Sequence, residues 1–296
     1  MSLSHKQKAS GQKYTASAAL IYGALCWGVI WYPYRLLDEA GISGIAASVA
    51  TYAMALVIAL WLFRGRWRQV FAHPATLIPL ALVAGWTNLS YVLAVIGGEV
   101  MRVLLLFYLS PLWTLLLATL LLDERAGKRG LFVIALSLCG AFVMLWEPSQ
   151  GLPLPQNSYE WIALSSGFCF ALTNVLTRRA TCLTLEAKSF AVWAGVFVLA
   201  LLLLPLTGGP IPTGGQLVAD SGLIFMLGGV LVLATILVQY GITHTPVTRA
   251  AVIFIFELVV AAVSSYLLAG EEMTLQEWVG GAMIVAATIF APKDAS

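Results

Sequence analysis

Apolar residues form ten long runs along the chain, and short polar stretches separate each run from the next. A helix needs about 20 apolar residues to cross the hydrocarbon core of a bilayer, which is close to the length of these runs. Barrel strands would show short segments of alternating polarity, whereas these runs are continuously apolar. The pattern therefore predicts an all-α integral membrane protein with ten transmembrane helices, at residues 16–36, 44–63, 76–96, 101–122, 130–147, 159–178, 188–206, 221–241, 248–269 and 276–292.

The composition agrees with a chain that is dissolved in lipid. Hydrophobic residues make up 60% of the sequence and charged residues 10%, and the mean hydropathy is +0.90. A soluble domain could not cover so much apolar surface with a polar exterior. The four cysteines show no CxxC spacing, so we expect packing roles for them, and neither a metal nor a cofactor.

Basic residues are distributed unevenly between the two predicted faces. With a cytoplasmic N-terminus, fourteen of the 16 lysines and arginines fall on the inner face, and only Arg35 and Arg102 fall on the outer face. This positive-inside bias predicts that both termini are cytoplasmic and that the number of spans is even. The basic stretch Arg64–Arg68 is expected to meet anionic lipid headgroups rather than nucleic acid. Acidic residues are expected mainly outside, namely Asp38, Glu39, Glu99, Glu147, Glu271 and Glu272.

The two halves of the chain resemble each other. Arg102 precedes Glu124 by 22 residues, and Arg249 precedes Glu271 by the same interval. An odd number of spans in each copy predicts two inverted repeats, related by a pseudo-two-fold axis in the membrane plane. The predicted organisation is an N-terminal cytoplasmic tail (1–15), a first five-helix repeat (16–147), a periplasmic connection (148–158), a second repeat (159–292) and a C-terminal cytoplasmic tail (293–296).

Two segments carry a resemblance to a known family. The stretches "LLLDERAGKRGLFVIALSLCGAFVML" and "LLAGEEMTLQEWVGGAMIVAATIFA" resemble the EamA-type repeat of the drug/metabolite transporter superfamily, and the resemblance covers residues 16–292. Within that superfamily the chain looks most like the YddG-type exporters of aromatic amino acids. One departure is Asp123, which stands where the family usually has glycine before the first glutamate. The resemblance implies a ten-helix basket in the bacterial inner membrane, with a central cavity lined by spans 1, 3, 4, 6, 8 and 9.

Glu257 is the acidic residue that lies deep within a predicted span. A charge at the bilayer centre costs on the order of 3 kcal/mol or more, so its carboxyl should face a cavity or a partner. It could carry a proton or bind the amine of a substrate. A structural carboxyl bonded to a neighbouring helix is the alternative.

Other polar side chains also lie at membrane depth, on spans that the resemblance assigns to the cavity. Asn88 and Thr235 occupy equivalent positions in the two repeats, and the spacing places Tyr91 and Gln239 on the same helix faces. Asn174 has a comparable position in span 6. These residues are predicted to line the cavity, although hydrogen bonding between helices is an alternative for each of them.

Span 4 is predicted to be interrupted at Tyr108, Ser110 and Pro111, because proline removes an intrahelical hydrogen bond. The freed backbone could hold a ligand, or the kink could serve packing alone. Trp27, Tyr91 and Tyr108 are the aromatic candidates for the cavity wall. The predicted cavity holds no lysine or arginine, which argues against phosphorylated substrates.

These features predict a monomeric secondary transporter that exports amino acids, aromatic and other apolar ones, by alternating access between two inverted repeats. Its partners would be the lipid bilayer and the small-molecule substrate. Efflux of cationic drugs or other small metabolites by the same fold is the alternative. An intramembrane enzyme is a remote one, because the spans hold no HExxH motif, Ser–His pair or paired aspartates.

Overall fold

The computed structural model describes residues 2–98, 100–146, 154–206, 212–270 and 273–290. In this part of the chain every regular element is helical. The α-helices are α1 (Ser2–Glu39), α2 (Gly44–Leu62), α3 (Trp67–Val70), α4 (Pro74–Gly97), α5 (Val100–Phe107), α6 (Ser110–Leu122), α7 (Lys128–Leu145), α8 (Ser158–Arg179), α9 (Leu185–Leu203), α10 (Gly214–Ala219), α11 (Ser221–His244), α12 (Val247–Ala269) and α13 (Leu275–Phe290).

Within the described ranges, eight segments are helical, long and apolar enough to cross a membrane, which makes this a multi-pass membrane protein. They are Tyr14–Glu39, Gly44–Leu62, Pro74–Ala94, Arg102–Leu122, Lys128–Leu145, Leu185–Leu206, Ser221–His244 and Val247–Leu268. Helix α13 is apolar but shorter. Helix α8 is long but less apolar, because its buried residues include Ser166, Thr173, Asn174 and Thr177.

Some helix boundaries differ from the prediction. Helix α1 begins at Ser2, well before residue 16. The span 101–122 is divided between α5 and α6, which is the interruption predicted at Tyr108, Ser110 and Pro111. Two short helices, α3 and α10, lie in connections that were not expected to contain structure. Helix α10 starts with a capping box between Thr213 and Gln216, a signal that the sequence does contain. Glu99, Glu147, Glu271, Glu272, most of the connection 148–158 and the tail 293–296 lie outside the described residues.

Packing repeats between the two halves of the chain. Helix α4 packs on α8 and α9, and its counterpart α11 packs on α1 and α2, which are the counterparts of those two helices. Helix α8 packs on α5 and α6, and correspondingly α1 packs on α12. The pairs α2–α9 and α7–α13 each join a helix to its own counterpart. Neither half therefore has a separate core, because the main contacts run between the halves.

These contacts define two groups of helices. The Tyr108 group contains α4, α8, and α5 and α6 with the turn between them; the Glu257 group contains α11, α12 and α1. The groups meet mainly through α6 and α12, while α2–α9 and α7–α13 flank them on either side. Together they contain the six spans that the family resemblance assigns to the cavity wall.

Pairs of contacting residues show the relative directions of several helices. Arg102 pairs with Glu160 at the start of α8, and Glu124 pairs with Arg178 at its end, so the α5–α6 segment runs parallel to α8. Trp31 bonds Ser264 while Gly28 lies against the carbonyl oxygen of Glu257, so α1 and α12 are also parallel.

Helices α7 and α13 cross in opposite directions. Gly140 lies against Gly280, and Gln276 donates to the carbonyl oxygen of Trp146. A Cβ atom built on Gly280 would lie 2.6 Å from the Gly140 carbonyl oxygen, so both glycines are needed for this approach. Close contact through small residues is typical of helix pairs in membranes.

Candidate functional site

Three of the predicted site residues come together where the two groups face each other. Glu257 lies in the middle of α12, Tyr91 lies on α4, and Tyr108 follows the last residue of α5. The hydroxyls of Tyr91 and Tyr108 are close enough to the Glu257 carboxyl to interact with it electrostatically. Tyr108 is buried, whereas Glu257 is only partly buried despite its position at mid-helix. The carboxyl thus lies where the two groups meet.

Three phenylalanines extend this arrangement across four helices. The Phe107 ring centroid lies 5.1 Å from that of Tyr91 and 5.5 Å from that of Phe170. Phe170 in turn lies 5.2 Å from Phe254. Such edge-to-face and tilted contacts are the favoured geometry of aromatic pairs.

None of these three phenylalanines was predicted from the sequence as a site residue. Phe254 lies three residues before Glu257, and Phe170 lies four residues before Asn174, so each shares a helix face with a polar candidate. This spacing is the sequence signal that could have identified Phe170 and Phe254 as site residues.

Two buried amides lack hydrogen-bond partners among the described residues. They are the side-chain nitrogen Nδ2 of Asn174 and the side-chain oxygen Oε1 of Gln239. Thr235 is also buried, one turn before Gln239 on α11. An unpartnered buried donor or acceptor costs about 1–3 kcal/mol, so these groups favour a polar ligand. The donor, Asn174 Nδ2, lies on α8 in the Tyr108 group, and the acceptor, Gln239 Oε1, lies on α11 in the Glu257 group. A zwitterionic or polar molecule could use both.

Asn88 instead forms bonds between and within helices. Its Nδ2 donates to the carbonyl oxygen of Ala84 at 3.0 Å, and its Oδ1 accepts from the Tyr52 hydroxyl at 3.3 Å. Since Tyr52 lies on α2, this bond joins α2 to α4. Trp27 packs against the largest apolar cluster, which includes Tyr52 and Trp193. These contacts support the alternative predicted for Asn88, which is hydrogen bonding between helices, and they give Trp27 a packing role.

The break between α5 and α6 lies at Tyr108 and Leu109, and Pro111 is in the first turn of α6. Ser110 is buried beside it, and its carbonyl oxygen accepts from Thr114. Pro111 cannot donate to the Phe107 carbonyl oxygen four residues earlier. That oxygen faces Gly167 of α8, where a Cβ atom would lie 2.5 Å from it. The freed carbonyl is thus covered by α8, which favours a packing role for this kink.

A separate apolar groove of about 320 Å³ lies between α1 and α11. Its lining includes Val29, Pro33 and Met226, and none of the predicted site residues. Because its walls are apolar and partly exposed, it suits lipid chains rather than a polar substrate.

Two basic residues that the sequence places at the membrane faces have buried side chains. Arg102 is 5% exposed and Lys188 is 2% exposed. Burial of such side chains requires polar partners, and both have them: Glu160 for Arg102, and the Thr243 hydroxyl for Lys188. Among the described residues, no group of three or more His, Cys, Asp or Glu side chains could hold a metal ion.

Comparisons with known proteins agree with a transporter. An uncharacterized transporter of Archaeoglobus fulgidus is 29% identical over 77% of this chain and 80% of its own length. Protein RarD of Salmonella typhimurium is 25% identical, with 69% of each chain covered. A riboflavin transporter of Rhizobium johnstonii is 26% identical over 71% of this chain and 70% of its own length.

A solved crystal structure shares the fold. Its TM-score is 0.73 at 16% identity, and the match covers 93% of this chain and 96% of that one. The EamA-like transporter family matches residues 15–146 and 157–291, which are almost the whole of both halves. The chain therefore belongs to the EamA-like transporter family, and it is a multi-pass membrane transporter.

Proposed function

We propose that this protein exports amino acids, aromatic and other apolar ones, across the bacterial inner membrane by alternating access. The observation that carries the proposal is the Glu257 carboxyl, which faces Tyr91 and Tyr108 across the boundary between the two helix groups. A carboxyl at this depth is costly unless it serves a partner or a ligand. An ammonium group of a substrate would supply the missing positive charge.

The surrounding side chains suit the rest of an amino acid. Phe107, Phe170 and Phe254 provide aromatic surface for a flat or aliphatic side chain. Aromatic faces also attract an ammonium group through cation–π contacts. The unpartnered amide nitrogen of Asn174 can donate to a carboxylate.

The topology that supports this mechanism has ten crossings. Along the chain a single long helix, α7, connects α6 to α8. Because α5–α6 and α8 are parallel, α7 must cross the membrane in the opposite direction. Together with α8 and α13, the eight strongly apolar spans would make ten. The end that carries Arg178 and Lys188 would face the cytoplasm, together with both termini. Rocking of the Tyr108 group against the Glu257 group would then expose the site to either side.

A second candidate is efflux of organic cations, which the same carboxyl and aromatic rings could bind. Glu257 favours this candidate as well. An organic cation has no carboxylate of its own, so it needs a negatively charged partner but no hydrogen-bond donor from the protein. The two candidates differ over Asn174, whose amide a quaternary ammonium ion would leave unused.

A flux measurement in proteoliposomes tests the proposal. Purified protein should take up radiolabelled tryptophan above the level of empty liposomes, and phenylalanine should compete, whereas tetraethylammonium should not. Riboflavin would be included as a competitor because one relative transports it. If tetraethylammonium competed and phenylalanine did not, the result would favour cation efflux. Absence of tryptophan uptake in active preparations would contradict amino-acid transport.

A further inference from the structure

Three residues hold the connection between α11 and α12 at the end of the molecule that carries the basic loops. Arg178 at the end of α8 donates through Nη1 to the Thr243 carbonyl oxygen. Glu124 after α6 accepts through Oε2 from the Val247 backbone N–H at 3.2 Å. Lys188 of α9 donates through Nζ to the Thr243 hydroxyl at 3.0 Å.

Glu124 and Arg178 also position each other. The Arg178 Nε atom lies 3.2 Å from Glu124 Oε1, which leaves Glu124 Oε2 for Val247 and Arg178 Nη1 for Thr243. This ion pair and the two helix ends therefore form one closed ring of polar contacts.

The charges match the helix ends that they contact. The Thr243 carbonyl belongs to the last turn of α11, where carbonyl groups lack intrahelical partners. The Val247 N–H belongs to the first turn of α12. A cation at a helix C-terminus and an anion at an N-terminus are both stabilised by the helix dipole. The ring thus binds both ends of the α11–α12 connection, with the cation at the end of α11 and the anion at the start of α12.

Lys188 adds a contact from a flanking helix. Its side chain is almost fully buried, and no described carboxylate lies within ion-pair distance of it. The Thr243 hydroxyl is its hydrogen-bond acceptor. Withdrawal of the α11–α12 connection would leave this buried ammonium without that acceptor, so Lys188 favours the closed arrangement.

The three contacts with the α11–α12 connection all cross the boundary of the Glu257 group. Glu124 and Arg178 belong to the Tyr108 group and Lys188 to α9, whereas Thr243 and Val247 join two helices of the Glu257 group. Arg35 is the repeat counterpart of Arg178 at the opposite end, since each follows a cysteine, Cys26 or Cys169, by nine residues. Its side chain is 56% exposed, and it pairs with Glu39 on its own helix. Among the described contacts, therefore, Arg35 does not form the bonds between helix groups that Arg178 forms.

We propose that Glu124, Arg178 and Lys188 form a latch that closes the substrate pathway at the basic end of the protein. The proposal rests on the alternating-access function above, and it assigns the structure to the state that is closed at this end. Breaking the latch releases the α11–α12 connection and favours the state that is open there.

Distances between spin labels on α1 and α8 test the latch in the full-length protein in liposomes. The native cysteines would be replaced by serine. One label pair would use the exposed positions Ala18 and Arg179 at the basic end, and the other would use Asp38 and Tyr159 at the opposite end. Each pair joins the Glu257 group to the Tyr108 group.

The variants would be Glu124→Gln, which weakens the ring, and Lys188→Met, which removes the Thr243 bond without changing the ion pair. Arg35→Gln is the matched control, because its ion pair is exposed and lies within one helix. We expect the first two variants to shift the basic-end distance to longer values and the opposite-end distance to shorter ones. Arg35→Gln should change neither.

The outcomes separate the latch from the transport mechanism. A longer basic-end distance with an unchanged opposite end would keep the latch and contradict alternating access. Unchanged basic-end distances in both folded variants would overturn the latch. If tryptophan still shifted both distances in the protein without these substitutions, alternating access would stand without the latch.

Discussion

Arg102 and Glu160 form a two-pronged ion pair at the end of the protein opposite to the latch. Arg102 Nε lies 2.8 Å from Glu160 Oε1, and Nη2 lies 3.0 Å from Oε2. The same carboxylate accepts from the Gln156 backbone N–H and from Asn157, while Arg102 also donates to the Leu154 carbonyl oxygen. Both side chains are buried. The pair thus joins α5 to α8 and to the connection that precedes α8.

Removing one partner of this pair should destabilise the protein strongly. In Glu160→Gln the Arg102 charge stays buried without a carboxylate, and breaking a buried pair in this way costs about 3–5 kcal/mol. Thermal unfolding in detergent, followed by tryptophan fluorescence, would measure the loss. Glu39→Gln is the control, because its exposed pair with Arg35 contributes about 0–1 kcal/mol. Equal small effects of both variants would show that the Arg102–Glu160 pair does not hold these elements together.

Glu257→Gln should abolish transport of tryptophan while leaving the fold intact. The amide keeps the size of the side chain but cannot neutralise an ammonium group or carry a proton. If this carboxyl carries the coupling proton, any residual flux will no longer vary with pH. Initial rates in proteoliposomes across a pH series would measure both effects, with the exposed Asp38→Asn as control. A variant with normal flux and normal pH dependence would exclude Glu257 from both roles.

Asn174 and Asn88 should respond in opposite ways to replacement by leucine. Asn174→Leu removes a buried amide whose nitrogen lacks a partner, so we expect equal or higher thermal stability and weaker tryptophan binding. Asn88→Leu removes bonds to Ala84 and Tyr52, so we expect lower stability. Thermal unfolding with and without tryptophan would measure both. Loss of stability in Asn174→Leu would instead indicate a purely structural amide.

Gly167→Ala should impair both stability and transport. The added methyl group would meet the Phe107 carbonyl oxygen and displace the α5–α6 break that positions Tyr108. Overpacking of this kind costs about 1–3 kcal/mol. Gly229→Ala is the control, because no atom lies within 4 Å of the equivalent position there. Normal melting and normal tryptophan flux in Gly167→Ala would mean that α8 and the break can separate without consequence.

The sequence predicts most of the membrane helices because each one is recorded locally, as a run of apolar residues of sufficient length. It also indicates Glu257, Tyr91 and Tyr108, since polar groups are rare at membrane depth. It cannot separate Asn88 from Asn174: both are asparagines in spans, and only three-dimensional packing gives one of them Tyr52 as a partner. The phenylalanines of the site are likewise indistinguishable by sequence from those that face lipid, such as Phe132.

The latch residues show a different limit. Glu124 was visible as a repeat feature, whereas Arg178 and Lys188 were only two of the fourteen basic residues predicted on the inner face, and the three are far apart in sequence. Their common contact with the α11–α12 connection depends on how the second half folds over the first. Long-range contacts of this kind have no local signal in a single chain.

Alternating access can be measured by sided labelling of a cysteine placed between the two groups. Tyr91→Cys, in a protein without its native cysteines, faces Glu257 across the group boundary. We expect a membrane-impermeant maleimide to label it from the periplasmic side when the latch is intact, and from the cytoplasmic side when Lys188→Met is combined with it. Labelling from one and the same side in both proteins, or from both sides at once, would contradict a pathway that opens to each compartment in turn.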